Sequence, residues 1–416
     1  MTGCPIAHGY DPLAASTVLD PHTALRAVRD ETAVAYLPDL DHYIVTRYDD
    51  IENILLDRDS WSASIASSPL VPLCPAAQAV LDSGYTRVPT LNNADPPRHT
   101  PMRKAVLTCM TPRRLRALEP SLRECARDLV HAMSGHDVVD FVDAVAFPFP
   151  GFAAFSLLGF PETDTERLRQ WSGSRVLLTY GRLGEEEQVM VAADIVAMWK
   201  YVEGHVARRV AERGDDLTSD LLTYADGKPD QVTQADVVNM VYSMALAGHE
   251  TTCNTIGNGV LALLTHRHQW QAILDDRSLI PNAVEEILRF DGPVINHRRL
   301  AKVDVDIGGI TIPAGSKVMM GFASGDRDPA LFPSPDTFDV TRENAELHLE
   351  FGKGAHLCLG IALARMETRI ILELLAELTP NIDLVPDQEL HYSANALFRS
   401  LQQLMVAPNG NAAMEV

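Results

Sequence analysis

No two cysteines in this chain of 416 residues stand close enough to form a paired metal or redox motif. They lie at positions 4, 74, 109, 125, 253 and 358, without a C-x-x-C spacing, which argues against a zinc site or a disulfide framework. A reducing, cytoplasmic setting is therefore expected. Basic charge is also scarce. The 35 Lys and Arg against 56 Asp and Glu leave a formal charge of −21, which disfavours a general affinity for nucleic acid. No hydrophobic run reaches membrane length. The most apolar stretch, 144–160, is broken by Pro148, Pro150 and Gly151 and is expected to be a buried helix junction. The first eight residues lack the basic and apolar regions of a signal peptide, so neither secretion nor membrane insertion is expected. Also missing are a dinucleotide-binding glycine pattern after a strand and cysteines at iron–sulfur spacing, so any electrons must come from another protein.

Helix-type periodicity dominates what is present, and strand-like runs are few: 33–37, 42–46, 303–312 and 317–322. Length alone suggests two or three domains, yet no linker-like tract or internal repeat divides the chain.

One segment concentrates chemistry. Phe351-Gly-Lys-Gly-Ala-His-Leu-Cys-Leu-Gly360 is a glycine-rich loop that runs into an apolar helical pattern beginning at Ile361. Unpaired N–H groups and the helix dipole at such a start favour an anion, so Cys358 is placed to act as a thiolate, either nucleophile or metal ligand. Gly354 and Gly360 are expected to take backbone angles closed to other residues and to let a bulky flat group approach.

A second segment breaks the rules of its own helix. Thr233-x-x-Asp236 has the form of a capping box and opens a periodic run to about Thr265. Its middle reads Ala247-Gly248-His249-Glu250-Thr251-Thr252, poor helix sequence. A local opening is expected there, with Gly248 leaving room above a flat group and the Thr251 hydroxyl competing with the backbone ladder. His249 is expected at the surface or in a salt bridge.

The loop Phe351-x-x-Gly354-x-His356-x-Cys358-x-Gly360 resembles the haem-binding loop of cytochromes P450, and Gly248-His249-Glu250-Thr251 resembles the oxygen-binding kink of the same family. The closest resemblance is to soluble bacterial members, especially the haem domains of self-sufficient, reductase-fused enzymes. It is carried by segments such as Asp39–Asp50 and Gly214–Leu222.

The resemblance implies one large, mainly α domain over 1–416 with a small β region, as a monomer, and a haem b held by Cys358, with Phe351 shielding the sulfur. It also implies dioxygen as cosubstrate, with Thr251 hydrogen-bonding the dioxygen and Glu250 supplying protons. His99 and Arg103, four apart at a helix start, together with Arg299 and His356, are the implied propionate donors. Glu286 and Arg289, three apart on one helix face, are the implied buried ion pair, which Arg342 completes.

The implied activity is monooxygenation of a small or medium apolar substrate, by hydroxylation or oxidative dealkylation. Electrons would pass from NAD(P)H through a ferredoxin or a flavin/iron–sulfur reductase. The basic residues Arg103, Lys104, Arg113, Arg114, Arg116 and Lys353 offer either a docking face or an ordinary solvated one. Substrate contacts are expected from 61–91, 176–183, 244–248, 294–297 and 396–398. Three other readings stand beside this one: a peroxide-driven relative, a non-catalytic haem-thiolate sensor or ligand-binding protein, and a cysteine-nucleophile hydrolase built on Cys358.

Overall fold

In the computed structural model the structure is described for residues 4–7, 10–86 and 88–410. Helices dominate, and strands form in all four runs that the sequence pattern places, with five additions among the described residues: Asn296–Ala301 and the short Trp61–Ser62, Val139–Asp140, Asp383–Leu384 and Met405–Ala407. Val34–Leu37, His42–Val45, Lys317–Gly321 and Asn296–Ala301 lie side by side in that order. His42–Val45 pairs with Lys317–Gly321 in parallel, and the other two pairings are antiparallel. Val305–Ile307 and Ile310–Ile312 form a separate hairpin. Asn296–Ala301 had no clear strand signal, because His297, Arg298 and Arg299 interrupt any alternation of apolar and polar residues. Parts of the N-terminal segment read against a signal peptide, residues 1–3 and 8–9, lie outside the described residues.

The chain divides into two compact units. One comprises 1–61, 120–149 and 251–416; the other comprises 62–119 and 150–250. The first unit contains the helix Ile361–Leu378, which buries Leu363, Ile370, Ile371, Leu374 and Leu375 at helical spacing. Each such side chain contributes roughly 1.5–3 kcal/mol by leaving water. The same helix buries Glu367, whose carboxyl oxygens have no hydrogen-bond partner among the described residues.

The capping box forms in the second unit. The Thr233 hydroxyl accepts from the Asp236 N–H at 3.2 Å, and the Asp236 carboxylate accepts from the Thr233 N–H at 2.9 Å. The helix it starts, Gln234–Ala247, stops at Gly248, and a second helix runs Glu250–Thr265. The apolar stretch 144–160 is a short π-type turn, Val142–Ala146, followed by the helix Pro148–Leu158. Among the described residues no helix is long and apolar enough to cross a membrane.

Candidate active site

The cysteine loop belongs to the first unit and is shaped by two glycines, though not the two expected. Gly352 and Gly354 have φ of +63° and +66°, the left-handed region that disfavours a side chain. At Gly354 a Cβ would also stand 2.7 Å from the Leu55 carbonyl oxygen. Gly360 is different: its φ is −88°, and a Cβ there would meet only Cys358 Sγ, at an ordinary 3.8 Å. Its contribution is an N–H that donates to Cys358 Sγ at 3.3 Å as the helix Ile361–Leu378 begins. The Cys358 N–H donates in turn to the Phe351 carbonyl at 2.8 Å, closing the loop. The Cys358 side chain is exposed. The Phe351 ring lies between His348, at 5.3 Å, and the Arg365 guanidinium, at 5.1 Å.

Cationic groups gather in the same unit. Arg299 is buried on Asn296–Ala301, and its guanidinium lies 3.1 Å from His297 Nδ1. Burial, then Arg299, pushes the His297 imidazole down to about 3, and Arg298 and His356 act in the same direction. Arg298 escaped the sequence reading, and His297 was expected only among the substrate contacts of 294–297. The available signal was strand periodicity, which puts His297 and Arg299 on one face.

This donor set suits a haem. Cationic hydrogen-bond donors crowd into a buried place at little cost only where an anion joins them, and a haem carries carboxylates. A sulfur that accepts a backbone N–H at a helix start is likewise suited to bind a metal as thiolate.

Three interactions fix the frame behind the loop. Glu286 and Arg289 are fully buried and bidentate, at 2.7 and 2.8 Å. Arg342 Nε approaches both Glu286 oxygens, at 3.1 and 3.2 Å. Arg289 also donates to the carbonyls of Asp326, Pro335 and Thr337, which ties the helix Ile280–Asp291 to the segment preceding the cysteine loop.

The second unit holds the remaining residues. His99 and Arg103 share the helix His99–Cys109, His99 buried and Arg103 half-buried. Burial, then the Arg103 charge, lowers the His99 pKa. At Gly248 a Cβ would stand 3.0 Å from both Ala154 Cβ and the Met244 carbonyl oxygen, so glycine is required there by local packing as well. His249 is a correction to the surface or salt-bridged position expected for it. It is completely buried, its Nδ1 is 2.6 Å from Ser172 Oγ, and its ring lies 5.7 Å from that of Phe155. A helix interior so thinly supplied with helix formers holds its histidine by tertiary packing, which local sequence does not report.

The second unit ends at Glu250 and the first resumes at Thr251. Thr251 does not cap its own helix: its carbonyl accepts from the Thr255 hydroxyl at 2.9 Å. Two of the basic residues read as a docking or solvated face are neutralised internally. Lys353 donates to Glu52 at 2.5 Å and to the Tyr48 hydroxyl at 2.6 Å, and Arg114 is bound to Asp220 at 2.6 Å.

Comparison with known proteins agrees with this architecture. A sequence model of the cytochrome P450 family matches residues 192–377. The vitamin D(3) 25-hydroxylase of Pseudonocardia autotrophica is 36% identical over 394 residues, 93% of this chain and 93% of the relative. Cytochrome P450 CREJ, solved in complex with (4-ethylphenyl) dihydrogen phosphate, superposes with a TM-score of 0.93 at 36% identity, covering 96% of this chain and 99% of that one. An intact type IV self-sufficient cytochrome P450 monooxygenase gives a TM-score of 0.94 at 38% identity. That match covers 98% of this chain and 54% of the longer one.

The fold and the relatives define a monooxygenase that works with haem b and dioxygen, on electrons supplied from NAD(P)H through a reductase. The chain belongs to the cytochrome P450 family.

Proposed function

We propose that this chain inserts one oxygen atom of O2 into a small or medium apolar organic molecule, by hydroxylation or oxidative dealkylation, with electrons from a ferredoxin or flavin/iron–sulfur reductase outside these 416 residues. The observation that carries the proposal is the Gly360 N–H donating to Cys358 Sγ at the start of a helix, inside a loop closed by left-handed glycines.

Cys358 is the metal ligand. Haem bound through a thiolate supplies the power to cleave the O–O bond. The chain's own residues do the rest. The Gly360 N–H holds the sulfur as thiolate and tunes how much charge it donates. Phe351, whose carbonyl accepts from the Cys358 N–H, is the proposed shield of the sulfur. Arg299, His356, His99 and Arg103 are each proposed, from the family resemblance, as charge-assisted donors that would meet a haem propionate. Glu250 would take up protons from solvent at its carboxylate, and the Thr251 hydroxyl would hand them on. Gly248 leaves the backbone open at that point. Glu286, Arg289 and Arg342 hold the loop in place without touching the reaction.

The test is the absorption spectrum of the purified, reduced protein under carbon monoxide. A strongly red-shifted Soret band is expected, and it should vanish in Cys358→Ala. Folded protein that takes up no haem, or a Cys358→Ala variant that keeps the band, overturns the ligand assignment. Thr251→Ala should divert electrons from product to hydrogen peroxide; unchanged coupling would remove Thr251 from the proton path.

A further inference from the structure

A cationic side chain stands among the substrate-facing segments of the second unit with no acid to meet it. Arg175 lies on the short helix Ser174–Tyr180, next to the stretch expected to line the pocket. Its hydrogen bonds go to the Tyr85 hydroxyl, to Thr179 Oγ1 at 3.1 Å and to the Ser67 carbonyl at 3.3 Å. Its guanidinium also lies over the Tyr85 ring, 5.5 Å from the centroid. Among the described residues no carboxylate pairs with it. An arginine in partly desolvated surroundings normally finds a counter-ion, because neutral acceptors offset only part of the cost of removing its charge from water.

A second observation points the same way. The Tyr242 hydroxyl is buried beside Arg175, whose guanidinium is its polar neighbour, and its own O–H finds no acceptor among the described residues. Burial drives its pKa above the ordinary tyrosine range, so it stays a neutral O–H donor. A buried donor left without an acceptor is costly, and an oxyanion on Arg175 would supply one.

Tyr242 and Trp199 wall the place aromatically. Their rings lie 5.2 Å apart, and Tyr85 is 5.1 Å from Trp199 and 5.7 Å from Tyr242. The site thus offers a planar cation, a hydroxyl donor and apolar ring faces, which is the chemistry of an oxyacid head group on an apolar body. Tyr242 precedes Gly248 on one helix by six residues, ~9 Å along the axis at 1.5 Å per residue.

We infer that Arg175 and Tyr242 form a recognition site for the anionic head group, carboxylate or phosphate, of an otherwise apolar substrate, and so fix the oxidised carbon at a distance from the acid. This rests on the monooxygenase reading and narrows it from apolar molecules in general to apolar acids.

The experiment compares 4-alkylbenzoate, 4-alkylphenyl phosphate and the neutral 4-alkylphenol on the haem-loaded protein. Binding is read by calorimetry and by the substrate-induced change in the haem spectrum. At least one of the two anions should bind ten-fold or more tighter than the phenol. Arg175→Met should erase that preference, Arg175→Lys should keep part of it, and Tyr242→Phe should weaken the anion without changing the phenol. Preference for the benzoate alone assigns a carboxylate, and preference for the phosphate alone assigns a phosphate monoester.

Equal or tighter binding of the phenol by the unaltered protein overturns the inference, even if the Arg175 variants do not fold. So does an anion preference that survives Arg175→Met. The carbon monoxide spectrum of the same preparation reports separately on the haem reading: a normal band with no anion preference removes this inference alone.

Discussion

Ser172 Oγ and His249 Nδ1 lie 2.6 Å apart, both residues buried, and join the helix Thr165–Ser172 to the residue that precedes Glu250. The serine hydroxyl has one proton, and it points to the Arg169 carbonyl at 2.8 Å. With the hydroxyl proton on the Arg169 carbonyl, the His249 tautomer that carries its proton on Nδ1 is the donor to Ser172. This bond anchors the opening between Gln234–Ala247 and Glu250–Thr265, just where the proposed proton path begins.

Ser172→Ala leaves that buried N–H unmatched and should cost about 1–3 kcal/mol of stability. It should also loosen Glu250, raising the share of reducing equivalents lost as peroxide. Thermal unfolding and the ratio of product to NAD(P)H consumed measure the two effects. An unchanged ratio would confine the bond to a packing role.

Gly354→Ala combines a φ of +66° with a Cβ 2.7 Å from the Leu55 carbonyl. Strained backbone of this kind costs of order 1–3 kcal/mol, and the backbone oxygen cannot easily move aside. The variant should bind less haem per protein, seen in the ratio of Soret to protein absorbance. Gly360→Ala, at φ −88° with a Cβ in ordinary contact, should keep most of it. Equal losses in both would mean that loop strain is not the cause.

Arg289→Met leaves the Glu286 carboxylate buried with only Arg342 as its cation. Breaking one side of a buried pair costs about 3–5 kcal/mol, enough to unfold a marginally stable protein. Little folded protein is expected. The double variant Glu286→Gln with Arg289→Met should recover part of the loss, because no buried charge is left uncompensated. Denaturant titration of both variants checks this.

Glu367 gives a pH dependence. Burial alone raises its pKa well above the ordinary carboxyl range. The folded carboxyl keeps a proton that the unfolded one releases above about 4.5, so unfolding gains free energy as pH rises past that point. Its contribution to stability is therefore largest in acid and declines towards neutral and alkaline pH. Glu367→Gln should be increasingly more stable than the unaltered protein between about pH 5 and 8, as the linkage slope requires. A melting-temperature difference that does not change with pH would show that the carboxyl is not buried alone.

Much of this was legible locally. Cys358 and Gly354 could be read from spacing, because a loop that must reverse and enter a helix restricts residue types within a few positions. The Thr233–Asp236 box and the Glu286–Arg289 pair were legible because helix geometry puts residues three apart together. The Arg342 contact with Glu286, 56 positions away, was reached only through the family resemblance, and the Lys353 contact with Glu52, 301 positions away, was not legible at all. His249 was misjudged for the same reason, since Ser172 lies 77 positions away. The Gly360 angle was misjudged in the opposite way. A glycine in a motif looked like a conformational need, but there it supplies an N–H to a sulfur.

By itself the sequence determined which elements form and where their ends lie, because capping, periodicity and turn chemistry act over a few residues. It also determined the class of chemistry, because one cysteine at a glycine-rich helix start has few uses. Only the tertiary structure decided which charges are neutralised, which histidines are buried, and that Arg175 meets tyrosines instead of an acid. Those outcomes depend on desolvation and on partners far away in the chain, and neither is written in the local order of residues.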